Sequence, residues 1–174
     1  MAFGSLTGLI DPPLYVVTAA AGGERSGCLV GFATQCSIHP PRFLVCLSVL
    51  NHTYGVAGRA EVVGVHLLDA DQRQLAAHFG ELTGDEADKF AGIRWHLGEF
   101  GAPILDDVRA AFEGRVLERL RFGDHVGHLL EPLDDYEVPE AGQVRQLRLG
   151  DAGDFEAGHP ADEVLEAAGG APAR

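Results

Sequence analysis

At 174 residues, 46% of them hydrophobic, the chain can bury one sizeable core and is too short for two ordinary domains. Acidic residues outnumber basic ones 26 to 13. The resulting formal charge of −13 excludes duplex nucleic acid or an anionic membrane as the main partner, since both need a positive surface.

No apolar run approaches the roughly 18 residues of a membrane-spanning helix. The N-terminal "MAFGSLTGLIDPPLY" lacks the basic and apolar regions of a secretion signal. Cys28, Cys36 and Cys46 form no C-x-x-C pair, and an odd number cannot all pair within one chain. Buried, reduced thiols in a cytoplasmic protein are expected.

In chain order, "LYVVTAAA" (14–21) reads as a strand and "GGERSG" as a tight turn, because glycine supplies the positive φ such turns need. "CLVGFATQCSI" (28–38) continues as one long second strand, paired with the first as a hairpin and stopped by "HPP". "RFLVCLSVL" (42–50) is an unbroken apolar run, suited to a strand covered on both faces. "TYGVAGRA" predicts one or two helical turns, and "VVGVHLL" (62–68) a further strand. In "DADQRQLAAHFGELTG", Leu75, Phe79 and Leu82 fall at helical spacing, with Asp69 or Asp71 as N-cap. "DEADKFAGIRWHLG" is ambiguous. From "APIL" to "DDYEV" the pattern is of strands, broken at "FGDH". Helices are few and inserted between strands, so a mainly β barrel is expected rather than a doubly wound sheet. Residues 1–150 form the expected domain, and the Ala-, Gly- and acid-rich 151–174 an exposed arm or tail.

Along the second strand the period-two rule puts Cys28, Val30, Phe32, Thr34, Cys36 and Ile38 on a bulky, core-facing side. Leu29, Gly31, Ala33, Gln35 and Ser37 take the other side, where Gly31 and Ala33 leave room for a flat ring system to approach the backbone. Packing against a helix would account for the small residues equally well. Ser48, Asn51, His52 and Thr53 cluster donors before a helix start, where an anion is favoured. Capping by Asn51 or Thr53 alone is the competing account. His125 follows Asp124 at the strand break and can reach a ligand there, or can serve as an exposed turn residue. His125 and His128, three apart on a strand, point to opposite faces, and no metal centre is expected. No G-x-S-x-G, Walker loop or G-x-G-x-x-G fingerprint occurs.

The ordered set "PLYVVTA", "GCLVGFATQCSIHPPRFLVCLS", "NHT", "DKFAGI", "GAPIL" and "GDH" resembles the flavin reductase-like family of FMN-binding split barrels, over residues 12 to 137. The resemblance implies a six-stranded Greek-key barrel that forms a homodimer, with FMN near the subunit interface. FAD or a deazaflavin is an alternative cofactor. It implies that Leu29, Val30, Gly31, Phe32 and Gln35 lie along the flavin ring, and that Ser48, Asn51, His52 and Thr53 hold the phosphate. It also sets His125 near the docking place of NAD(P)H, bordered by Lys89 and Phe90. The implied activity is hydride transfer from nicotinamide to flavin, with reduced flavin passed to a flavin-dependent oxygenase or another acceptor. The same architecture also serves non-catalytic flavin, deazaflavin and haem carriers, so fold alone does not settle function.

Overall fold

A computed structural model describes residues 3–82, 88–137 and 145–153. A short helix α1 (Phe3–Thr7) leads into strands β1 (Tyr15–Ala21), β2 (Glu24–Val30), β3 (Ala33–Ser37) and β4 (Arg42–Ser48). Helix α2 (His52–Ala57), strand β5 (Val62–Leu67) and helix α3 (Arg73–Glu81) follow. The remainder is β6 (Trp95–Leu97), β7 (Pro103–Leu105), the long β8 (Ala110–Arg121) and β9 (His125–Glu137), and helix α4 (Leu149–Ala152).

Seven strands form one sheet in the order β2-β1-β5-β8-β9-β4-β3, with every pair antiparallel, and β6 and β7 form a separate ribbon. The mainly β expectation holds. The count of six strands in the expected split barrel does not: the sheet has seven strands and is open, with no ladder joining its ends β2 and β3. The extra strand arises because the run 28–38 is not continuous. It bends at Gly31 and Phe32, and the halves on either side join opposite edges of the sheet.

Between β1 and β2, Gly22 and Gly23 adopt φ of 61° and 82°, a backbone that L side chains resist. The hairpin therefore turns on the two glycines alone, and the rest of "GGERSG", expected as turn, belongs to β2. β1 is buried on both faces, and the alternation sorts its residues into two cores. Val16 joins Leu14, Leu68, Phe79, Ile104 and Leu105 beneath α3 and the β6–β7 ribbon. Val17 and Ala19 join Cys28, Val30, Val45, Leu47, Val63 and Val65 inside the curl, closed by Val56 and Ala57 of α2. Strands from both edges share this second core, so the sheet is curled as well as open.

α3 packs closely on β2, because Gly27 offers no Cβ. One placed there would lie 2.8 Å from the Phe79 ring. Glu113 of β8 is fully buried and ties down the β6–β7 loop, accepting hydrogen bonds from the backbone N–H groups of Phe100 and Ala102 and from the Tyr136 hydroxyl. Nothing local to Glu113 in the sequence signals these partners.

Several further expectations are corrected. Beyond Val30 the bulky face of the second run is exposed, since β3 is an edge strand: Phe32 and Ile38 are exposed, and so is Cys36. β4 buries Val45 and Leu47 but leaves Leu44 and Cys46 only half-buried, so it is not covered on both faces. α3 is capped by neither Asp69 nor Asp71. Its N-cap is Gln72, and Leu82 lies past its end, 40% exposed. α4 straddles the expected domain boundary at 150: Ala152 is buried, and its carbonyl accepts from Arg73. The rest of the expected tail, 154–174, lies outside the described residues.

Candidate functional site

The bend at Gly31 and Phe32, where one run of sequence passes from one edge of the sheet to the other, forms one wall of a cleft of about 340 Å3. Leu29, Val30, Gly31 and Phe32 contribute from this wall, and Cys46, Leu47, Ser48 and Asn51 from β4 and the loop after it. Pro12, Leu14 and Gly80 line it further, while Leu149 reaches in from α4. The backbone N–H of Cys46 donates to the Phe32 carbonyl at 2.9 Å, which carries the β3–β4 ladder up to the bend. The cleft is apolar along most of its length and polar at the Ser48–Asn51 end. Its size falls in the range of small-molecule sites.

At the mouth, His125 begins β9 directly opposite Ser48. Its ring meets the Phe32 ring edge to face at 5.1 Å between centroids. His125 Nδ1 pairs with Asp124 Oδ1 at 3.0 Å, and this bond holds the Asp124 carboxyl below its ordinary range. Both accounts of His125 thus have a share in the geometry: it is partnered by Asp124 and it also lines the cleft.

Asn51 likewise does two things. Its Oδ1 accepts from the Thr53 backbone N–H at 3.0 Å as the N-cap of α2, and its side chain borders the cleft. With Oδ1 so engaged, the amide Nδ2 is the group left to donate to a ligand.

The remaining sequence candidates lie outside the cleft. Gln35, on β3 past the bend, is exposed and bonds the Ser37 carbonyl. Thr53 is fully buried, with its hydroxyl 2.9 Å from that of Ser26. Lys89 is buried with Nζ donating to the Phe79 carbonyl at 3.0 Å, and Phe90 belongs to the core beneath α3. His52 faces a separate groove of about 370 Å3, which also borders Asn51 and is lined by Glu24, Gly55 and Arg59. There Glu24 bonds both Arg59, at 2.5 Å, and His52, at 2.8 Å. Arg59 chiefly holds the Glu24 carboxyl below its ordinary range.

Sequence reasoning missed Cys28, Cys46 and Leu47 as lining residues. Alternation assigns Cys28 to the core-facing side, and it does lie in the inner core with Val30; the cleft reaches the edge of that core. Burial pushes the Cys28 thiol up to about 11 and also raises that of Cys46, so both line the cleft as neutral thiols. Neither is a nucleophile in this state. Among the described residues no group of three His, Cys, Asp or Glu side chains could hold a metal ion, and no helix is long and apolar enough to cross a membrane.

An open, curled antiparallel sheet with a cleft at its seam is the architecture of flavin-handling split barrels, and the comparisons agree. Residues 7–145 match the flavin reductase like domain, and the chain belongs to that family. It is 32% identical over 111 residues to the FMN reductase (NADH) RutF of Bradyrhizobium diazoefficiens, covering 63% of this chain and 61% of that protein. It is 27% identical over 128 residues to the 4-hydroxyphenylacetate 3-monooxygenase reductase component of Klebsiella oxytoca, covering 70% of this chain and 72% of the relative. Among solved structures, an FMN-binding protein from Thermus thermophilus with bound 1-cyclohex-2-enone superposes with a TM-score of 0.70 at 27% identity, covering 74% of this chain and 72% of that one. The chain spans 35%, 61% and 21% of the lengths of three curated relatives that it matches.

Proposed function

We propose that the chain is an NAD(P)H-dependent flavin reductase that binds FMN in the cleft at the Gly31–Phe32 seam. The observation that carries this reading is the cleft itself, in a chain of this family: an apolar slot ending in the Ser48 and Asn51 side chains, with His125 at its mouth. These residues fit FMN. Gly31, Val30, Leu14 and Leu47 offer a flat, apolar slot for a ring, and Ser48 with Asn51 offers donors for the phosphate.

When bound, the flavin supplies the hydride-accepting centre, so the chain needs no acid, base or nucleophile of its own. Ser48 and Asn51 hold the phosphate and thereby set the depth of the ring. The walls at Val30 and Leu47 exclude water from one side. Phe32 and His125 flank the opening, where they orient the nicotinamide, and Asp124 fixes the His125 ring. Restricting the relative motion of two reacting rings is itself a large source of rate.

The protein works as a homodimer in the cytoplasm. The half-covered face of β4 and the exposed Phe32 and Ile38 support a partner copy, and the three unpaired thiols support the compartment. Reduced flavin passes to a flavin-dependent oxygenase, as the similarity to a monooxygenase reductase component supports.

The test is an absorption spectrum of the purified protein loaded with FMN, before and after anaerobic NADH or NADPH. Bleaching of the flavin band is expected. A bound flavin that neither nicotinamide bleaches would make the protein a carrier, and no flavin binding at all would end the reading.

A further inference from the structure

The groove along α2 meets the cleft at Asn51, and the groove's charges are arranged against an anion. Arg59 and His52 are the nitrogen donors lining it, and Glu24, at the start of β2, bonds both: Nη2 of Arg59 to Oε2, and Nε2 of His52 to Oε1. Arg59 Nε is held as well, donating to the Gly55 carbonyl at 3.2 Å. The Glu24 and Arg59 side chains remain 39% and 55% exposed, so the pairing is open to solvent and to competition by another anion. Above Gly55 the groove is open, since a Cβ placed there would meet nothing within 4 Å.

We infer that Glu24 is a specificity-determining residue at the phosphate end of the flavin site, a built-in anion that withholds Arg59 and His52 from the flavin phosphate. The inference rests on the proposal that flavin occupies the cleft. It adds residues which that proposal does not use, from a different strand and a different groove. A phosphate seated at Ser48 and Asn51 borders this groove and meets an Arg59 charge already matched by Glu24, with His52 held on the same carboxylate. The chain therefore holds FMN by its ring and by neutral donors, and discriminates between FMN and riboflavin, which lacks the phosphate, less sharply than it would with Arg59 released from Glu24.

The experiment measures FMN and riboflavin affinities by fluorescence quenching, at low and at high salt, for the wild type, Glu24→Gln and the double variant Glu24→Gln with Arg59→Gln. Both positions are partly exposed, and matching thermal melts show that each variant folds. Glu24→Gln is expected to raise the ratio of FMN to riboflavin affinity by roughly threefold to tenfold at low salt, the effect of removing one partly screened charge near an anion. High salt should shrink this gain. Arg59→Gln in the Glu24→Gln background should abolish it. A ratio that stays constant or falls in Glu24→Gln, while riboflavin still binds, overturns the role of Glu24 and leaves the flavin reading intact. Failure of the wild type to bind either flavin overturns both.

Discussion

Phe32 and His125 meet edge to face, 5.1 Å apart, although one sits at the bend after β2 and the other begins β9. The contact brings an exposed aromatic side chain of the cleft wall against an imidazole whose other partner is Asp124. The two rings therefore line the cleft as one pair, with a carboxylate bonded to the second of them.

His125→Ala should retain FMN but slow NAD(P)H-driven flavin reduction several-fold, since loss of orientation is costly in rate. Stopped-flow absorbance under anaerobic conditions reads the effect. Unaltered traces would reduce His125 to a turn residue satisfied by Asp124.

Asn51 combines a cap and a cleft donor, and two substitutions separate the roles. Asn51→Ala should weaken FMN binding by about 1–3 kcal/mol, the usual cost of an unmade polar contact. It should also lower stability by about 1 kcal/mol through the lost cap. Asn51→Asp keeps a capping oxygen but sets a carboxylate beside the phosphate, so stability should hold while FMN affinity falls. Calorimetry for binding and thermal melts for stability check both. Thr53 is a poor test of the phosphate site, because it is buried against Ser26.

Light scattering at micromolar protein should give about twice the 18.5 kDa chain mass, since two-fold dimers are the commonest closed assembly. A monomer would leave the half-covered β4 face and the exposed Phe32 and Ile38 without the partner assigned to them.

His66 gives stability a pH slope. It is fully buried, its Nδ1–H donates to the Val16 carbonyl, and its Nε2 accepts from the Leu105 N–H, so the ring is neutral. Burial lowers its pKa from 6.5 to about 4. Above pH 6.5 both folded and unfolded states leave it neutral and it adds no slope. As pH falls through 6.5 the unfolded state takes up the proton first, so stability drops, levelling off below about pH 4 after a loss of about 3 kcal/mol. Burial depresses His128 as well, with the same sign. Urea melts at pH 7.5, 5.5 and 4.5 should show the decline, and His66→Gln should flatten it. An equal slope in that variant would assign the effect elsewhere.

The elements were legible wherever local pattern decides them. The Gly22–Gly23 turn, the amphipathic α3 and the break at Gly123 announce themselves through backbone preference and periodicity. The split of residues 28–38 did not, because a chain of β-favouring residues looks the same whether it stays with one neighbour or crosses to another. Cys28 as a cleft residue was hidden because it faces the core, and only the packing shows that the cleft reaches that core. At the site, Gly31, Ser48, Asn51 and His125 were legible as chemistry, and the structure brings them to one cleft. Lys89 carried an equally suggestive charge, yet its Nζ is spent on the end of α3, a partner that only tertiary packing supplies. Glu24 was passed over because its meaning lies in two residues of a different element.

Gly31 and Phe32 are a covalent stitch between the two free edges of the sheet, a link of two residues across what topology leaves unlaced. A backbone cut there, or new chain ends introduced by circular permutation, would remove the stitch without touching any ladder between strands. The sheet would keep its pairing while its margins drifted apart. A ligand lying along the seam braces the same join from within, so breathing of the edges and escape of the ligand become one motion.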